Sequence, residues 1–334
     1  MRRDRDLFEQ IICFKNLLSA SKKASRRKQN QGVVHEFFFD LEFELLDLKQ
    51  ELIHGGYKPR DYRIFEIREP KVRKICSSAF RDRVVHHAIC NILEPRFEKR
   101  LISDTYACRV GRGLHAAVKR CQLFSRKNGY YLKCDIRKCF ETIDHGVLKA
   151  LLRKVIKDPK TLSLLERVID HPVSGNEASK GLPIGNLTSQ HFANLYLGEL
   201  DHFLKDHRRV KSYLRYMDDF ILFSQEKGHL HSCLEQIRGF LPERLKLELK
   251  EKVTRIAPVS EGVPFLGFRV FPNLIRVQRA NLVRFRQKLK QRELDYEAGE
   301  LEELKFIQSV SSIVAHISHA NTLALRRKEF HGIG

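Results

Sequence analysis

The sequence contains no run of about 18 consecutive apolar residues, the length that a membrane-spanning helix needs. Residues 1–6 are mostly charged and include no apolar stretch of the kind found in secretory signals. The eight cysteines are scattered and never form the Cys-x-x-Cys pairs that are typical of structural zinc sites. No internal repeat is visible. We therefore predict a cytoplasmic protein with reduced thiols and no membrane partner.

Positive charge dominates the composition. The 334 residues include 62 Lys and Arg against 41 Asp and Glu, so the formal net charge is +21. The sequence pI is near 9.7. This excess favours a polyanionic partner, because each Lys or Arg that lies on a phosphate releases counterions. We predict that the partner is nucleic acid and that the chain forms two or three subdomains.

The strongest chemical signal is Tyr216-Met217-Asp218-Asp219, which interrupts two apolar, β-prone runs within residues 212–224. This pattern predicts a hairpin with the aspartates at or beside its turn. Adjacent carboxylates repel each other, so one of them takes up a proton unless a cation lies nearby. A hard divalent ion such as Mg2+ is the simplest such cation, and a solvated turn is the alternative.

Apolar spacing in the first 53 residues predicts helices. Residues 7–18 predict an amphipathic helix that leads into a basic linker or flexible arm at 21–28. A second helix is predicted over residues 37–53, where Gly55-Gly56 ends it. The segment 21–28 is a candidate for phosphate contacts.

The next stretch predicts two strands, 62–67 and 72–76, around a basic tip. Lys71 and Arg73 are candidate contacts to a bound triphosphate, although surface cations on a hairpin are often merely solvated. A helix follows from residue 81 to 94, and we expect Pro95 to break it.

The centre of the chain predicts an α+β fold, in which an antiparallel sheet carries helices on one face. In such a sheet, the strand that ends at Asp135 would lie beside the acidic 212–224 hairpin. The C-terminal part, from residue 280 onward, predicts basic helices. The predicted central elements are strand 130–135, helices 145–156 and 159–169, a helix after the loop 182–186, and strands 245–249 and 264–270.

Four motifs of this chain resemble, in the same order, the palm motifs of reverse transcriptases. The resemblance covers about residues 55–270, and it implies a right-hand polymerase fold with fingers, an antiparallel-sheet palm and a short helical thumb. The motifs are residues 135–140, residues 182–186 with Ser189, residues 216–219 and residues 265–267.

The resemblance also implies a division of the chain into four parts. These are an N-terminal helical extension at 1–54, fingers at 55–112, a palm with fingers-side insertions at 113–272, and a basic helical thumb at 273–334. We expect no maturase, RNase H or endonuclease domain.

In the resembling family, three acids support catalysis by two metal ions. By resemblance, Asp135 and Asp218 would hold two Mg2+ ions, for which Mn2+ can substitute, with the Ile136 carbonyl as a further ligand. Asp219 would be the second acid of the hairpin, closer to the primer end. Such ions lower the pKa of the primer 3′-hydroxyl and neutralise the leaving pyrophosphate. Three acids with no nearby lysine in the motif cores fit that electrostatic role.

Further residues take their implied roles from the same resemblance. Lys71 and Arg73 would grip the triphosphate, and Lys252, or less favourably Lys250, would protonate pyrophosphate. Phe265-Leu266-Gly267 would form the primer grip, for which a plain buried strand is the alternative.

Phe140 occupies the position at which the family places an aromatic wall under the incoming sugar. A 2′-hydroxyl would clash with this wall, so the resemblance implies a preference for deoxynucleotides. An ordinary core phenylalanine is the alternative.

The second motif departs from the common Gln-Gly and Ser-Pro form, because the substrate-side positions here are Ile184-Gly185 and Ser189-Gln190. Ile184 offers no side-chain hydrogen bond near the nascent pair, which would relax base selection. This form resembles the reverse transcriptases of diversity-generating retroelements, which copy a template-repeat RNA into cDNA with errors at adenines.

That narrower resemblance implies mutagenic retrohoming by a bacterial or phage-encoded enzyme. Its partners would be template RNA, a cDNA/RNA primer duplex, dNTPs and a small basic accessory protein oligomer. A group II intron-like reverse transcriptase and a defence-associated polymerase that works without a template are alternatives. An RNA-binding protein that assists splicing without catalysis is another, although Asp135, Asp218 and Asp219 are all present.

Overall fold

The computed structural model describes residues 6–68, 72–173 and 177–330, with side chains described to residue 327, and these residues form helices and antiparallel strands. The helices, in chain order, are α1 (Leu7–Ile12), α2 (Phe14–Ala24), α3 (Gly32–Phe39), α4 (Leu41–Ile53), α5 (Phe80–Glu98), α6 (Leu114–Lys127), α7 (Cys139–Thr142), α8 (His145–Val155), α9 (Pro159–Asp170), α10 (Leu187–His202), α11 (Lys227–Leu245), α12 (Arg279–Glu297), α13 (Glu303–Ile317) and α14 (Leu323–Phe330). The strands are β1 (Arg63–Ile67), β2 (Arg73–Ser77), β3 (Tyr130–Asp135), β4 (Ser212–Tyr216), β5 (Asp219–Ser224), β6 (Arg255–Pro258), β7 (Val263–Phe265), β8 (Phe268–Val270) and β9 (Ile275–Val277).

The chain forms two compact units, each assembled from three separate segments. Unit 1 comprises Met1–Ser103, Ile136–Arg209 and Ile237–Lys250. Unit 2 comprises Asp104–Asp135, Val210–Gln236 and Glu251–Gly334.

The N-terminal part of unit 1 differs from its sequence prediction. The predicted first helix is two helices, α1 and α2, because Cys13 adopts an extended ψ of 132° between them. The prediction of a flexible basic arm is wrong at its start, since α2 continues to Ala24 and packs along α5. Ser21 and Ser25 are buried there because their hydroxyls donate to main-chain carbonyls of the preceding turn.

The helix predicted over residues 37–53 is also interrupted. Asp40, with φ −108° and ψ 35°, separates α3 from α4. On the side predicted from apolar spacing to face inward, Leu45, Leu48 and Leu52 are buried, whereas Phe38 and Leu41 are only partly buried. The prediction of one continuous helix was wrong.

The prediction that Pro95 breaks its helix is wrong. Helix α5 continues through Pro95 to Glu98. The proline lies in the last turn, where it removes one hydrogen bond close to the helix end. Packing of α5 against α2 and α10 stabilises the turn that the proline weakens.

Strands β1 and β2 form the predicted antiparallel hairpin of unit 1, with Ile67 opposite Arg73 and Arg63 opposite Ser77. All five β1 side chains are exposed. The predicted triphosphate contact Lys71 lies outside the described residues.

Unit 2 contains an antiparallel sheet with the strand order β4–β5–β3–β6. Strand β3 therefore lies beside the acidic hairpin, as predicted. One hydrophobic core joins this sheet to α6 and to a second antiparallel sheet, β7–β8–β9. The core includes Phe124, Tyr131, Phe223, Phe265 and Phe268.

Two predicted strands are different in the structure. Residues 245–249 form no strand, since α11 extends to Leu245 and Leu249 makes only an isolated bridge with Ile136 in unit 1. The run 264–270 folds back on itself as β7 and β8. The prediction of C-terminal helices is confirmed by α12, α13 and α14.

All eight cysteines lie within the described residues, and none of them forms a disulfide. Within the described part of the chain, no helix has both the length and the apolar character needed to cross a bilayer.

Candidate active site

The acidic hairpin, β4 and β5 with their connecting turn (residues 212–224), carries two of the three aspartates. Tyr216 pairs with Asp219, so Met217 and Asp218 form the turn. Met217 adopts a left-handed φ of 57°, a conformation that tight hairpin turns require at their first central position. The predicted hairpin is therefore confirmed, with Asp218 in its turn and Asp219 at the start of β5.

The third aspartate lies on the neighbouring strand. Asp135 is the last residue of β3, and in the β3–β5 register it lies directly opposite Asp219. Side chains of directly opposed residues project to the same face, with Cβ atoms about 5 Å apart. Register between distant segments thus brings Asp135 together with Asp219, and Asp218 precedes Asp219 in the chain.

The surroundings of Asp219 disfavour its charge. Burial is the main cause that raises its pKa to about 6, and the carboxylates of Asp135 and Asp218 raise it further. Its Oδ1 atom is buried and has no hydrogen-bond partner among the described residues. A cation at this edge of the sheet would relieve both the repulsion and the unsatisfied oxygen.

The described residues contain no group of three or more His, Cys, Asp or Glu side chains that could hold a metal ion by themselves. An open set of carboxylates nevertheless fits Mg2+. This ion commonly takes one or two protein carboxylates and completes its octahedral shell with water and substrate phosphate oxygens.

A lysine from outside the motif cores lies close to the acids in the structure. The Lys133 ammonium donates to Asp219 Oδ2 at 2.9 Å, and the two side chains are 15% and 19% exposed. Lys133 lowers the pKa of Asp219, in opposition to burial. The sequence signal was its position two residues before Asp135, which puts both side chains on the same face of β3.

Arg215 is a second residue that sequence reasoning missed. It lies in β4 and is completely buried. Its Nη1 donates to the main-chain carbonyl of Met217 at 3.0 Å. The guanidinium therefore supports the turn that presents Asp218. A basic residue within the apolar run of β4 was the available signal.

The predicted primer-grip tripeptide forms a turn in unit 2 rather than a plain strand. Phe265 ends β7 and is buried, whereas Leu266 and Gly267 adopt left-handed φ angles of 48° and 87° between β7 and β8. We call β7, this turn and β8 (263–270) the grip hairpin. The side chain of Asn281 donates to the Gly267 carbonyl at 3.0 Å. The left-handed φ of Gly267 favours glycine, and a Cβ there would also displace the side-chain amide of Asn281.

In unit 1, the predicted second motif is attached to strand β2. The main-chain N–H of Cys76 donates to the Ile184 carbonyl at 2.9 Å, and Ser78 Oγ donates to Asn186 Oδ1 at 2.7 Å. Gly185 has a φ of 118°, and a Cβ there would approach Ile75 Cγ2 to 3.0 Å. Glycine therefore permits the close contact between the motif loop and β2.

The other predicted residues of unit 1 lie on neighbouring elements. Phe140, in α7, is partly buried, and its carbonyl accepts from the Leu182 N–H at 2.6 Å. Gln190 is in the first turn of α10, and Arg73 is exposed at the start of β2. Ile136 directly follows Asp135 in the chain and is buried.

Lys252 lies in unit 2, in a short 3₁₀ turn at Glu251–Val253 that packs beside β3. Its side chain is exposed. Lys250 is partly buried and belongs to unit 1.

Residues 65–270, well over half of the chain, match the family model described as reverse transcriptase (RNA-dependent DNA polymerase). The chain belongs to the reverse transcriptase family. The matched range spans the three aspartates, the second motif and the grip hairpin, so the resemblance stated from these residues is confirmed at the level of the family.

Two curated relatives match this reverse transcriptase over most of its length. Protein YkfC of Escherichia coli K12 is 28% identical over 273 residues, covering 69% of this chain and 72% of YkfC. Group II intron-encoded protein LtrA of Lactococcus lactis subsp. cremoris is 26% identical, covering 76% of this chain and 53% of LtrA. The chain thus spans about half the length of LtrA.

Solved structures share the fold at low sequence identity. Apo telomerase from Candida tropicalis, truncated from its C-terminal domain, has a TM-score of 0.50 and 13% identity, covering 71% of this chain and 60% of that one. Telomerase from Candida albicans in complex with a fragment of telomeric RNA has a TM-score of 0.50 and 12% identity, covering 83% of this chain and 55% of that one. The predicted α+β right-hand polymerase fold is confirmed.

Proposed function

We propose that this chain is an RNA-directed DNA polymerase that adds deoxynucleotides to a primer by nucleotidyl transfer. The observation that carries the proposal is the β3–β5 register, which sets Asp135 opposite Asp219 and beside the Asp218 turn in a chain of this family. Carboxylates grouped at one sheet edge are the ligands that phosphoryl-transfer metals prefer.

In this proposal, Asp135 and Asp218 hold two Mg2+ ions, with the Ile136 carbonyl as a further ligand, and Mn2+ can substitute. When bound, the ions activate the primer 3′-hydroxyl and neutralise charge on the departing pyrophosphate. Asp219 lies on the primer side. Its tie to Lys133 supports a smaller share in metal binding than that of Asp135 and Asp218.

The remaining roles concern the nucleotide and primer. Lys71 and Arg73 bind the triphosphate, and Lys252 donates a proton to pyrophosphate, with Lys250 less favoured. Phe140, Ile184, Gly185 and Gln190 line the nucleotide site, Phe140 excluding a 2′-hydroxyl. Phe265, Leu266 and Gly267 hold the primer.

We further propose the boundaries 55–112 for the fingers, 113–272 for the palm and 273–334 for the thumb, after an extension at 1–54.

Primer extension tests the polymerase proposal directly. Purified protein is given Mg2+, the four dNTPs and a primer annealed to RNA, with primer alone and homopolymer templates as parallel reactions. We expect products whose sequence follows the RNA. Extension that ignores the template would support a terminal transferase instead. RNA binding without any incorporation would support the splicing-assistance alternative.

A basic cavity in unit 1 supports RNA as the partner. Its volume is about 700 Å³, and aromatic and acidic side chains lie among its cations. Arginine and aromatic faces together suit single-stranded nucleic acid, because bases stack on the rings while the cations bind phosphates. The lining includes Lys28, Arg60, Arg63, Arg81 and Arg83, with Phe37, Phe65, Phe80, Glu36, Glu44 and Asp61.

Basic residues near this cavity lie close enough together for their positive charges to repel one another. Burial lowers the pKa of Lys28, and the Arg83 charge lowers it further. The pKa of His87 falls to about 4, through burial and through the charges of Lys23, Arg83, Lys28 and Arg26. Arg83 Nε is buried without an acceptor among the described residues. A phosphate would supply the missing negative charge.

RNA affinity should therefore fall steeply with salt, and this cluster should account for part of the slope. For Lys28→Gln with Arg83→Gln, we expect the slope of log affinity against log salt to become shallower by about 1.4, at about 0.7 per lost single-strand phosphate contact. Fluorescence anisotropy with a single-stranded RNA at salt concentrations between 50 and 300 mM measures this slope. Over that range the Debye length falls from about 14 Å to about 6 Å.

The matched control removes the same charge elsewhere in unit 1. Lys154→Gln with Lys157→Gln changes two exposed lysines near the end of α8 and should leave the slope within about 0.3 of the wild-type slope, less than one contact's share. Equal slopes in both double variants would contradict the assignment of phosphate binding to the cavity.

For the template, we propose the repeat RNA of a diversity-generating retroelement, copied with errors at adenines in mutagenic retrohoming. The Ile184-Gly185-Asn186 form with Ser189-Gln190 supports this proposal. A small basic accessory protein oligomer is the proposed partner, in a bacterial or phage-infected cytoplasm. A gene with a variable repeat next to a near-identical template repeat in the genome would support this assignment.

Replacing Ile184 tests the error mechanism. Its side chain cannot hydrogen-bond, and the loop that carries it is held on β2 through its carbonyl, so Ile184→Gln changes the side chain without removing that bond. We expect misincorporation opposite template adenines to fall several-fold, because one added hydrogen bond contributes about 1 kcal/mol to the selection of the correct base. Sequencing of cDNA from a defined RNA measures it.

Ile184→Leu is the control, since it keeps an apolar side chain of the same volume and should leave the error spectrum unchanged. An error spectrum for Ile184→Gln that matches wild type would remove Ile184 from the fidelity determinants.

A group II intron-like enzyme is the second candidate, and the similarity to LtrA over 76% of this chain favours it. Such an enzyme would copy its RNA accurately. Error rates at adenines equal to those at the other template bases would therefore favour this candidate over the retroelement.

A further inference from the structure

Lys133 makes contacts to two parts of unit 2 that have different proposed roles. Its Nζ donates to Asp219 Oδ2 at 2.9 Å and to the main-chain carbonyl of Pro264 at 2.8 Å. The same ammonium lies 5.8 Å from the centroid of the Phe265 ring. One side chain therefore joins the acidic hairpin to β7 of the grip hairpin.

Neutralising Asp219 requires only the first of these contacts. The second is directed to the main chain of Pro264, immediately before the proposed primer-grip tripeptide. A lysine ammonium has three donors around a compact charge, so it can serve a carboxylate and a carbonyl together. Both bonds are charge-assisted and the side chain is only 15% exposed, which makes them stronger than solvent-exposed equivalents.

The Lys133 side chain is held in place from several directions. Its strand, β3, pairs with β5 on one side and β6 on the other, and Lys133 lies opposite Ile221 and Arg255 in these registers. Its carboxylate partner begins β5, and its carbonyl partner lies in the middle of β7. A shift of the grip hairpin would therefore strain the Asp219 contact through Lys133.

We propose that Lys133 is a positioning residue that fixes the grip hairpin, and with it the primer 3′ end, relative to the catalytic carboxylates. This inference rests on the proposed polymerase function, because it names the primer as the object that is positioned. Lys133 itself touches no reacting atom. It acts through Asp219 and through the Pro264 carbonyl.

The test replaces Lys133 with methionine, which retains the apolar stem beside Phe265 and removes both hydrogen bonds. Lys119→Met, an exposed lysine on α6, is the matched control. A primer with 2-aminopurine at its 3′ end reports the local environment of that end, and equilibrium binding gives Kd for the primer–template duplex.

We expect Lys133→Met to lower kcat by about 10- to 100-fold, since misplacement of a reacting group by about 1 Å can cost that much. Kd for the duplex should stay within about twofold, because one distant cation contributes little to phosphate binding. The 2-aminopurine fluorescence should shift towards that of a less constrained base. A kcat and a fluorescence equal to those of Lys119→Met would overturn the inference.

A double variant keeps the test decisive if the lone substitution destabilises the fold by leaving Asp219 without its cation. Lys133→Met with Asp219→Asn removes both charges and is compared with Asp219→Asn alone. If Lys133 served only to neutralise Asp219, its substitution would cause no further change in the Asp219→Asn background. The link to Pro264 predicts a further shift of primer-end fluorescence, and its absence would refute the link.

Failure of the inference can be told apart from failure of the proposed function. Wild-type protein that extends no primed RNA would contradict the polymerase proposal. The fluorescence comparison needs only duplex binding, so it would still decide whether Lys133 positions the bound end.

Discussion

Asp218→Asn should lower the rate of nucleotide addition by roughly a thousandfold or more while the protein stays folded. Asparagine has the same shape and still suits the turn after Met217, but it lacks the negative charge that a metal requires. A loss of about 4 kcal/mol of transition-state stabilisation corresponds to a thousandfold in rate. Single-turnover primer extension at saturating dNTP and Mg2+ measures the chemical step.

The three aspartates should not respond equally. Asp135→Asn should match Asp218→Asn, whereas Asp219→Asn should cost less, because Asp219 is tied to Lys133. Asp40→Asn, an exposed residue between α3 and α4, should retain wild-type activity. Activity of Asp218→Asn within tenfold of wild type would contradict the proposed roles of these acids.

Arg215→Met should destabilise the protein by about 3 kcal/mol. Methionine fills a similar volume but leaves the Met217 carbonyl without its donor beneath the acidic turn. Buried groups left unsatisfied cost about 1–3 kcal/mol each, and imperfect packing adds to this cost. Urea denaturation followed by circular dichroism measures the unfolding midpoint, with Arg279→Met on the exposed start of α12 as the control.

Arg215→Met should also reduce activity under conditions in which the protein is still folded, at urea concentrations below the unfolding midpoint. The left-handed Met217 is held partly by the Arg215 contact, so loss of that contact allows the turn to relax and Asp218 to move. An unfolding midpoint unchanged from that of Arg279→Met would show that the buried guanidinium does not stabilise the hairpin.

Local patterns predicted the acidic hairpin well. Two short runs of apolar, β-prone residues flank the acidic turn, and continuous apolar runs of this length are typical of strands that are buried on both faces, as these are. The position of the strand that ends at Asp135 beside this hairpin was predicted from motif order and the expected sheet, and the structure confirms it. The register that sets Asp135 opposite Asp219 comes from the structure.

Boundaries set by packing were predicted poorly. Pro95 was expected to end its helix, but α5 continues through it because neighbouring helices bury that part of α5. Residues 264–270 were expected to be one strand, yet Leu266 and Gly267 turn the chain back. Gly267 was the sequence signal for that turn, but the apolar residues on both sides of it favoured the prediction of one continuous strand.

From the amino-acid sequence alone follow the family and the α+β class, together with the predictions of three catalytic acids and a polyanionic partner, because motifs, periodicity and net charge are carried by residue type and order. Only the tertiary structure decides that Lys133 rather than solvent neutralises Asp219, that Arg215 supports the turn and that residues 265–267 bend. These features depend on the register between distant strands and on the loss of water around charged groups. Both arise from contacts that no local pattern specifies.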